Sequence, residues 1–168
     1  MSIVNEMRLD FLSCPANEGF ARMVISAFVL PLNPTLEQLG DIKTAVSEAV
    51  TNAIVHAYHG ANGEDKIEIE CKIFPTQDGG LLHIKITDFG CGIENVEQAL
   101  KPFFTTLAGD ERSGMGFTIM QTFSDGFSVT SEQGKGTIVT LTKRIGGEGA
   151  CNAESYPLES VGREGVNA

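Results

Sequence analysis

Glu48 and Asn52 stand four residues apart in the run Ser47-Glu-Ala-Val-Thr-Asn52, a spacing that sets both side chains on one side of an α-helix. Such a pair suits phosphate chemistry. The carbonyl oxygen of Asn52 is a hard ligand of the kind Mg2+ takes, and Glu48 can accept a proton from a hydroxyl or water attacking phosphorus. The same two residues also describe an ordinary solvated helix face, so the pair needs company. Asp88-Phe-Gly90-Cys-Gly92 comes directly after an apolar strand pattern. A carboxylate there can face a pocket, two glycines let the backbone pass close to a ligand, and an acidic acceptor matches an amino group such as adenine's. An ordinary strand-to-turn sequence is the alternative. Ser113-Gly114-Met115-Gly116 precedes a helical pattern, where unpaired backbone N–H groups point at an anion such as phosphate. A glycine hinge without ligand reads the same way. Arg112, just upstream, suits a terminal phosphate or is a solvated side chain.

The two common nucleotide loops are missing: no GxxxxGK[ST] occurs, and no GxGxxG follows a strand. Asp-Phe-Gly also marks eukaryotic-type protein kinases, but the glycine loop, strand lysine and HRD loop that accompany it there are absent. His56 and His59 read as helix-end histidines rather than metal ligands.

The elements that must position these residues follow from periodicity. Met7, Leu9 and Phe11 alternate with other residues and predict a first strand. Asn17 to Leu30 reads as a helix with Phe20, Val24, Ala27 and Phe28 on one face, bounded by Pro31 and Pro34. Thr35 is the N-cap of a second helix, in which Leu39, Ile42, Val46, Ala49, Ala53 and Ala57 recur up to an end near Gly60. That helix carries Glu48 and Asn52. Lys66 to Phe74 and Leu81 to Thr87 form a hairpin around Thr76–Gly80, a short helix starts near Asn95, and Lys101 to Ser113 is expected to be a long mobile loop. Met115 to Phe123 is helical, and two strands, Phe127 to Glu132 and Thr137 to Lys143, close the pattern. Helices beside mostly antiparallel strands make an α+β two-layer α/β sandwich. One domain is expected over residues 1–145, and a disordered tail over 146–168.

Composition narrows the function. With 12 Lys+Arg against 22 Asp+Glu, the formal net charge of −10 repels a nucleic-acid backbone and anionic lipid alike. Neither partner is expected. Cys14, Cys71, Cys91 and Cys151 lack zinc spacing and read as reduced thiols. No leader pattern or membrane-length apolar run is found, so a cytoplasmic protein is expected.

Taken in order, Glu48-Ala-Val-Thr-Asn52-Ala-Ile-Val-His56-Ala-Tyr58, Asp88-Phe-Gly-Cys-Gly92, Ser113-Gly-Met-Gly116 and Gly134-Lys-Gly-Thr137 resemble the GHKL ATPase superfamily shared by gyrase, heat-shock chaperone ATPases and histidine kinases. More narrowly, Asn5-Glu-Met, Asn17-Glu-Gly-Phe-Ala-Arg22 and Glu111-Arg-Ser-Gly-Met-Gly-Phe-Thr-Ile-Met120 are similar to the sporulation anti-sigma serine-protein kinases of endospore-forming bacteria.

This resemblance implies a Bergerat-type ATP-binding fold with a mixed, mostly antiparallel sheet and helices on one face. It implies ATP and Mg2+ as cofactors. Asp88 would take the adenine amino group with Thr137 beside it, Asn52 the metal, and Glu48 the proton of an incoming serine. Gly90 and Gly92 would shape the pocket. Thr105, Thr106 and Arg112 would belong to an ATP lid, and Ser113, Gly114, Met115 and Gly116 to the phosphate end. Arg22 would dock protein partners. Those partners are a sigma factor of the sigma-F type and an anti-anti-sigma protein that is the phosphorylation substrate, with a homodimer as the assembly. Two other readings share the motifs: a general-stress anti-sigma kinase, and a non-catalytic ATP-gated sigma-binding module.

Overall fold

The computed structural model describes residues 3–58, 63–102 and 114–146. The expected lid with Thr105, Thr106, Arg112 and Ser113, the tail beyond Gly146, and His59 lie outside the described residues.

Apolar alternation builds one five-stranded sheet from β1 (Asn5–Leu12), β2 (Lys66–Thr76), β3 (Gly79–Asp88), β4 (Gly126–Glu132) and β5 (Gly136–Ile145), in the order β1-β2-β3-β5-β4. All four pairings are antiparallel, so the sheet is more uniform than the mixed one expected. Ile67, Ile69, Cys71 and Ile73 of β2 and Leu82, Ile84 and Ile86 of β3 are buried on one face. Period two then carries Asp88 onto that same face. Burial pushes the Cys71 thiol up to about 12, which leaves it inert. The opposite face is polar. Arg8 lies 3.0 Å and Lys72 3.1 Å from Glu70, whose carboxyl is held below the usual range chiefly by the Lys72 hydrogen bond.

Among the described residues four α-helices, α1 (Ala16–Val29), α2 (Leu36–Asn52), α3 (Val96–Ala99) and α4 (Gly116–Phe123), accompany the sheet, with α2 between α1 and α4. Thr35 caps α2 as expected, through a reciprocal box: its hydroxyl accepts the Gln38 N–H at 3.1 Å while the Gln38 side chain accepts the Thr35 N–H at 3.0 Å. Ile42, Ala45, Val46, Ala49 and Val50 bury the stripe. Past Asn52 the helix widens into a π-helical turn, Ala53–Ala57, which the periodicity did not disclose.

The expected face of α1 is corrected. Ala21, Ile25, Ser26 and Val29 are buried, whereas Phe20 is 48% and Met23 63% exposed. The segment is apolar around most of its circumference, so spacing alone does not select a side. Phe20 instead packs edge-on against Phe11, ring centroids 6.4 Å apart.

A polar tie joins the two layers. Lys143 of β5 points toward the helices, its Nζ 2.7 Å from Asp41 Oδ2 on α2 and 3.2 Å from the Phe123 carbonyl at the end of α4. Its side chain is only 15% exposed, so the pair is shielded from water. Lys143→Ala strands both acceptors and is expected to lower the urea-unfolding free energy by about 2 kcal/mol. A loss of only a few tenths would show that the tie is as weak as a surface pair.

Candidate active site

The end of α2, the loop after β3, the start of α4 and the start of β5 meet around a cleft of ≈ 790 Å³, within the usual range for small-molecule sites. Glu48, Asn52, Asp88, Gly92, Gly114, Met115, Gly116 and Thr137 all line it. Gly90 lies behind its wall, where an added Cβ would meet the Ala57 carbonyl oxygen at 2.0 Å. Arg22 is outside the cleft on α1, 3.4 Å from Glu18, whose carboxylate accepts the Ser47 hydroxyl at 2.6 Å.

At one end of the cleft the first turn of α4 comes down on α2. A Cβ on Gly116 would stand 3.0 Å from Asn52 Oδ1 and 3.3 Å from Glu48 Oε2, close enough that both side chains would have to give by a few tenths of an ångström, so the glycine lets the helix start settle against them. The spacing read from the sequence and the glycine stretch sixty-odd residues later thus form one surface. An amide oxygen, a carboxylate and the amino end of a helix share it, which is a donor and acceptor set for a metal-bound phosphate.

At the other end Asp88 is 6% exposed. Its Oδ1 accepts the N–H of Gly90 at 3.1 Å and the N–H of Thr137 at 3.2 Å. Burial raises its carboxyl above the ordinary range, and the two backbone bonds offset only part of that rise. Gly136, at φ +97°, makes this possible, since a side chain there would run into the Asp88 carbonyl oxygen at 2.0 Å. The loop itself is pinned on both sides. Cys91 donates its N–H to the Ala57 carbonyl at 2.7 Å, and Gly134 donates to the Cys91 carbonyl at 2.7 Å.

Sequence reasoning missed Tyr58. Its hydroxyl accepts the Phe89 N–H at 2.9 Å and donates to the Lys66 carbonyl, tying the end of the π-helical turn to β2 and to the residue after Asp88. Only the fold brings these three segments together, and a tyrosine at a helix end carries no signal of it. Asn95 also lines the cleft, and its side chain caps α3 by accepting the Gln98 N–H at 2.9 Å. Among the described residues no group of three His, Cys, Asp or Glu is placed to hold a metal, and Cys14, Cys71 and Cys91 are unbridged.

Known proteins resemble this chain over most of its length. Residues 13–143 match the model of the Histidine kinase-like ATPase domain. The anti-sigma F factor of Thermoanaerobacter sp. (strain X514) is 51% identical over 149 residues, 88% of this chain and 99% of that protein. The chain belongs to the anti-sigma F factor family of histidine kinase-like ATPases. Another family member, the anti-sigma F factor of Clostridium perfringens (strain SM101 / Type A), is 49% identical over 141 residues, 84% of this chain and 97% of that protein. A crystal structure holding the RsbU and RsbW domains of a Mycobacterium tuberculosis protein superposes with a TM-score of 0.58 at 15% identity, over 84% of this chain and 32% of that one, and shows the same fold.

As an anti-sigma F family member with a kinase-like ATPase domain, the chain has an ATP site, and the cleft is where Glu48, Asn52, Asp88 and Gly116 converge. No helix among the described residues is long and apolar enough to cross a membrane.

The raised carboxyl of Asp88 makes a stability prediction with a definite sign. A folded-state pKa above the unfolded one means the folded chain holds this proton more tightly, so ionisation removes stability as pH rises through the raised value. Asp88→Asn keeps an oxygen for the two backbone N–H groups and loses the buried charge. Without nucleotide, the variant is expected to unfold no earlier than the parent at pH 7, and its advantage should shrink toward pH 3. Parallel thermal melts across that range check it, and an advantage growing on acidification would contradict the assignment.

Proposed function

We propose that the chain is a Mg2+-dependent serine-protein kinase that holds a sigma factor of the sporulation, sigma-F type and phosphorylates that factor's anti-anti-sigma antagonist on serine. One observation carries the catalytic half: the approach of Gly116 to Asn52 and Glu48, which puts a carboxylate beside the phosphate end of an ATP cleft. The names of the family members support the sigma-holding half.

In this reading Asp88 accepts a hydrogen bond from the adenine amino group and Thr137 supports the same edge. Gly92 keeps the backbone close to the base with Gly90 packed behind it, Gly114, Met115 and Gly116 face the phosphates, and Ser113 would join them. Asn52 would hold Mg2+. The absence of a three-ligand cluster among the described residues fits an ion that keeps several waters and leans on substrate phosphates with one or two protein oxygens. Bound there, Mg2+ would offset phosphate charge.

Glu48 takes the proton of the attacking serine hydroxyl, and the protein's further contribution is placement, since phosphoryl transfer needs little covalent help. Thr105, Thr106 and Arg112 belong to a lid over the triphosphate, with Arg112 on its terminal charge. Arg22 docks the partners, on a helix that leaves Phe20 and Met23 exposed beside it, and the chain works as a homodimer. Phosphorylation adds about two negative charges to a partner of a chain whose net charge is −10, which disfavours rebinding.

Glu48→Gln keeps the shape of the site without the base. It is expected to retain ATP affinity while serine phosphorylation of an anti-anti-sigma protein falls by 10²–10⁴-fold, the usual worth of a general base. Labelled ATP mixed with that protein checks it, and transfer at the parental rate would remove Glu48 from the mechanism. A parent that binds ATP and sigma factor but never transfers label would be the non-catalytic module instead. Asp88→Asn sets an amide donor against the adenine amino group and should weaken binding of a fluorescent ATP analogue by about tenfold or more.

A further inference from the structure

Ser131, near the end of β4, stands opposite Thr137 in the β4–β5 register, and neither motif reading nor the proposed mechanism uses it. Its hydroxyl has three partners. It accepts the N–H of Ile93 at 2.8 Å, lies 2.9 Å from the Gly136 carbonyl oxygen, and lies 3.0 Å from the Thr137 hydroxyl. A serine hydroxyl has one proton and two lone pairs. The Gly136 carbonyl can only accept, so the 2.9 Å contact assigns the Ser131 proton to it. Ile93 occupies one lone pair, which leaves the other to accept from Thr137.

The direction of the chain is therefore fixed from Thr137 through Ser131 to Gly136. Thr137 spends its only proton on Ser131 and can offer the cleft nothing but lone pairs. Asp88 offers the same polarity, with Oδ1 already occupied by two backbone N–H groups. We propose that Ser131 is a specificity-determining positioning residue that locks the Thr137 hydroxyl as an acceptor, so that this end of the cleft takes a base bearing an exocyclic amino group and rejects its 6-oxo counterpart. The inference rests on the ATP-site reading above. It deepens that reading by assigning selectivity to a residue that does not line the cleft.

The probes are ATP and inosine triphosphate, which differ only in 6-amino against 6-oxo on the ring and its attendant proton. The parent is expected to prefer ATP clearly in equilibrium competition against a fluorescent nucleotide. In Ser131→Ala the Thr137 hydroxyl is free to turn and donate to a 6-oxo group, so the ATP-to-inosine preference should fall about tenfold, one hydrogen bond's worth of discrimination. Ser131→Thr keeps the hydroxyl and should restore the preference. In a Thr137→Val background, Ser131→Ala should change the ratio no further, because the group it orients is gone.

A purely structural role would weaken both nucleotides alike and leave the ratio untouched, and that result overturns the proposal. If Ser131→Ala does not fold, Ser131→Cys, with its weak S–H donor, takes its place in the same comparison. A parent that binds neither nucleotide would instead overturn the ATP-site reading, so the two failures are told apart.

Discussion

Putting a carboxylate on the buried face of β3 constrains everything around the cleft. Leu82, Ile84, Ile86 and Asp88 share that face because a strand repeats every two residues, so the chain cannot keep its core and also turn Asp88 to solvent. A buried acid without partners would shed its charge. Here two backbone N–H groups from different segments, Gly90 and Thr137, meet one carboxyl oxygen. Each must come within hydrogen-bond reach, and each brings its segment along. Gly136 can pass the Asp88 carbonyl only without a side chain, and Gly92, at φ +70°, can pass the Glu132 carbonyl, 2.2 Å from where a Cβ would be, only on the same terms. The loop after β3 and the β4–β5 turn are thus held by the needs of one acid.

The two ends of the cleft are built from different materials. The Asp88 end rests on paired strands and a closed hydrogen-bond chain, with Tyr58 clamping the following residue to β2. Its polarity is that of acceptors. The Gly116 end rests on a helix start, whose N–H groups have no partners within the helix and whose dipole favours negative charge. A ligand with an amino group at one end and phosphates at the other matches both polarities in a single orientation. The π-helical turn between Asn52 and Tyr58 belongs to this arrangement, since it presents the Ala57 carbonyl to Cys91 while α2 above it keeps Glu48 and Asn52 on the cleft.

What could be read in the sequence was whatever a single element dictates. Thr35 announces the start of α2, its stripe announces the buried side, and strand alternation announces which residues face the helices. Glu48 and Asn52 were legible as a pair for the same reason. What escaped depends on two or more elements at once. The side that α1 buries is decided by β1 and α2, because Phe20, Val24 and Phe28 compete with Ile25 and Val29 for the same role. The π-helical turn has no composition of its own. Tyr58 and Ser131 act through backbone groups of Phe89, Ile93 and Gly136, and nothing in a side chain's identity reveals a backbone partner tens of residues away.

Helix α2 also explains how the Arg22 face of α1 and the cleft can be neighbours without sharing residues. Ser47 and Glu48 are consecutive, and about 100° of helical rotation between them turns one toward α1 and the other toward the cleft. Ser47 donates to Glu18, which pairs with Arg22, while Glu48 stands beside Gly116. Both sets of contacts hang on one rigid, capped helix whose buried stripe is fixed against the sheet. The Glu18–Arg22 pair and the Glu48 carboxylate therefore border the same helical turn, and the distance between the two surfaces is set by helix geometry rather than by a loop. On the proposed reading of Arg22 and Glu48, this lets a partner and a phosphate sit side by side without either one occupying the other's ground.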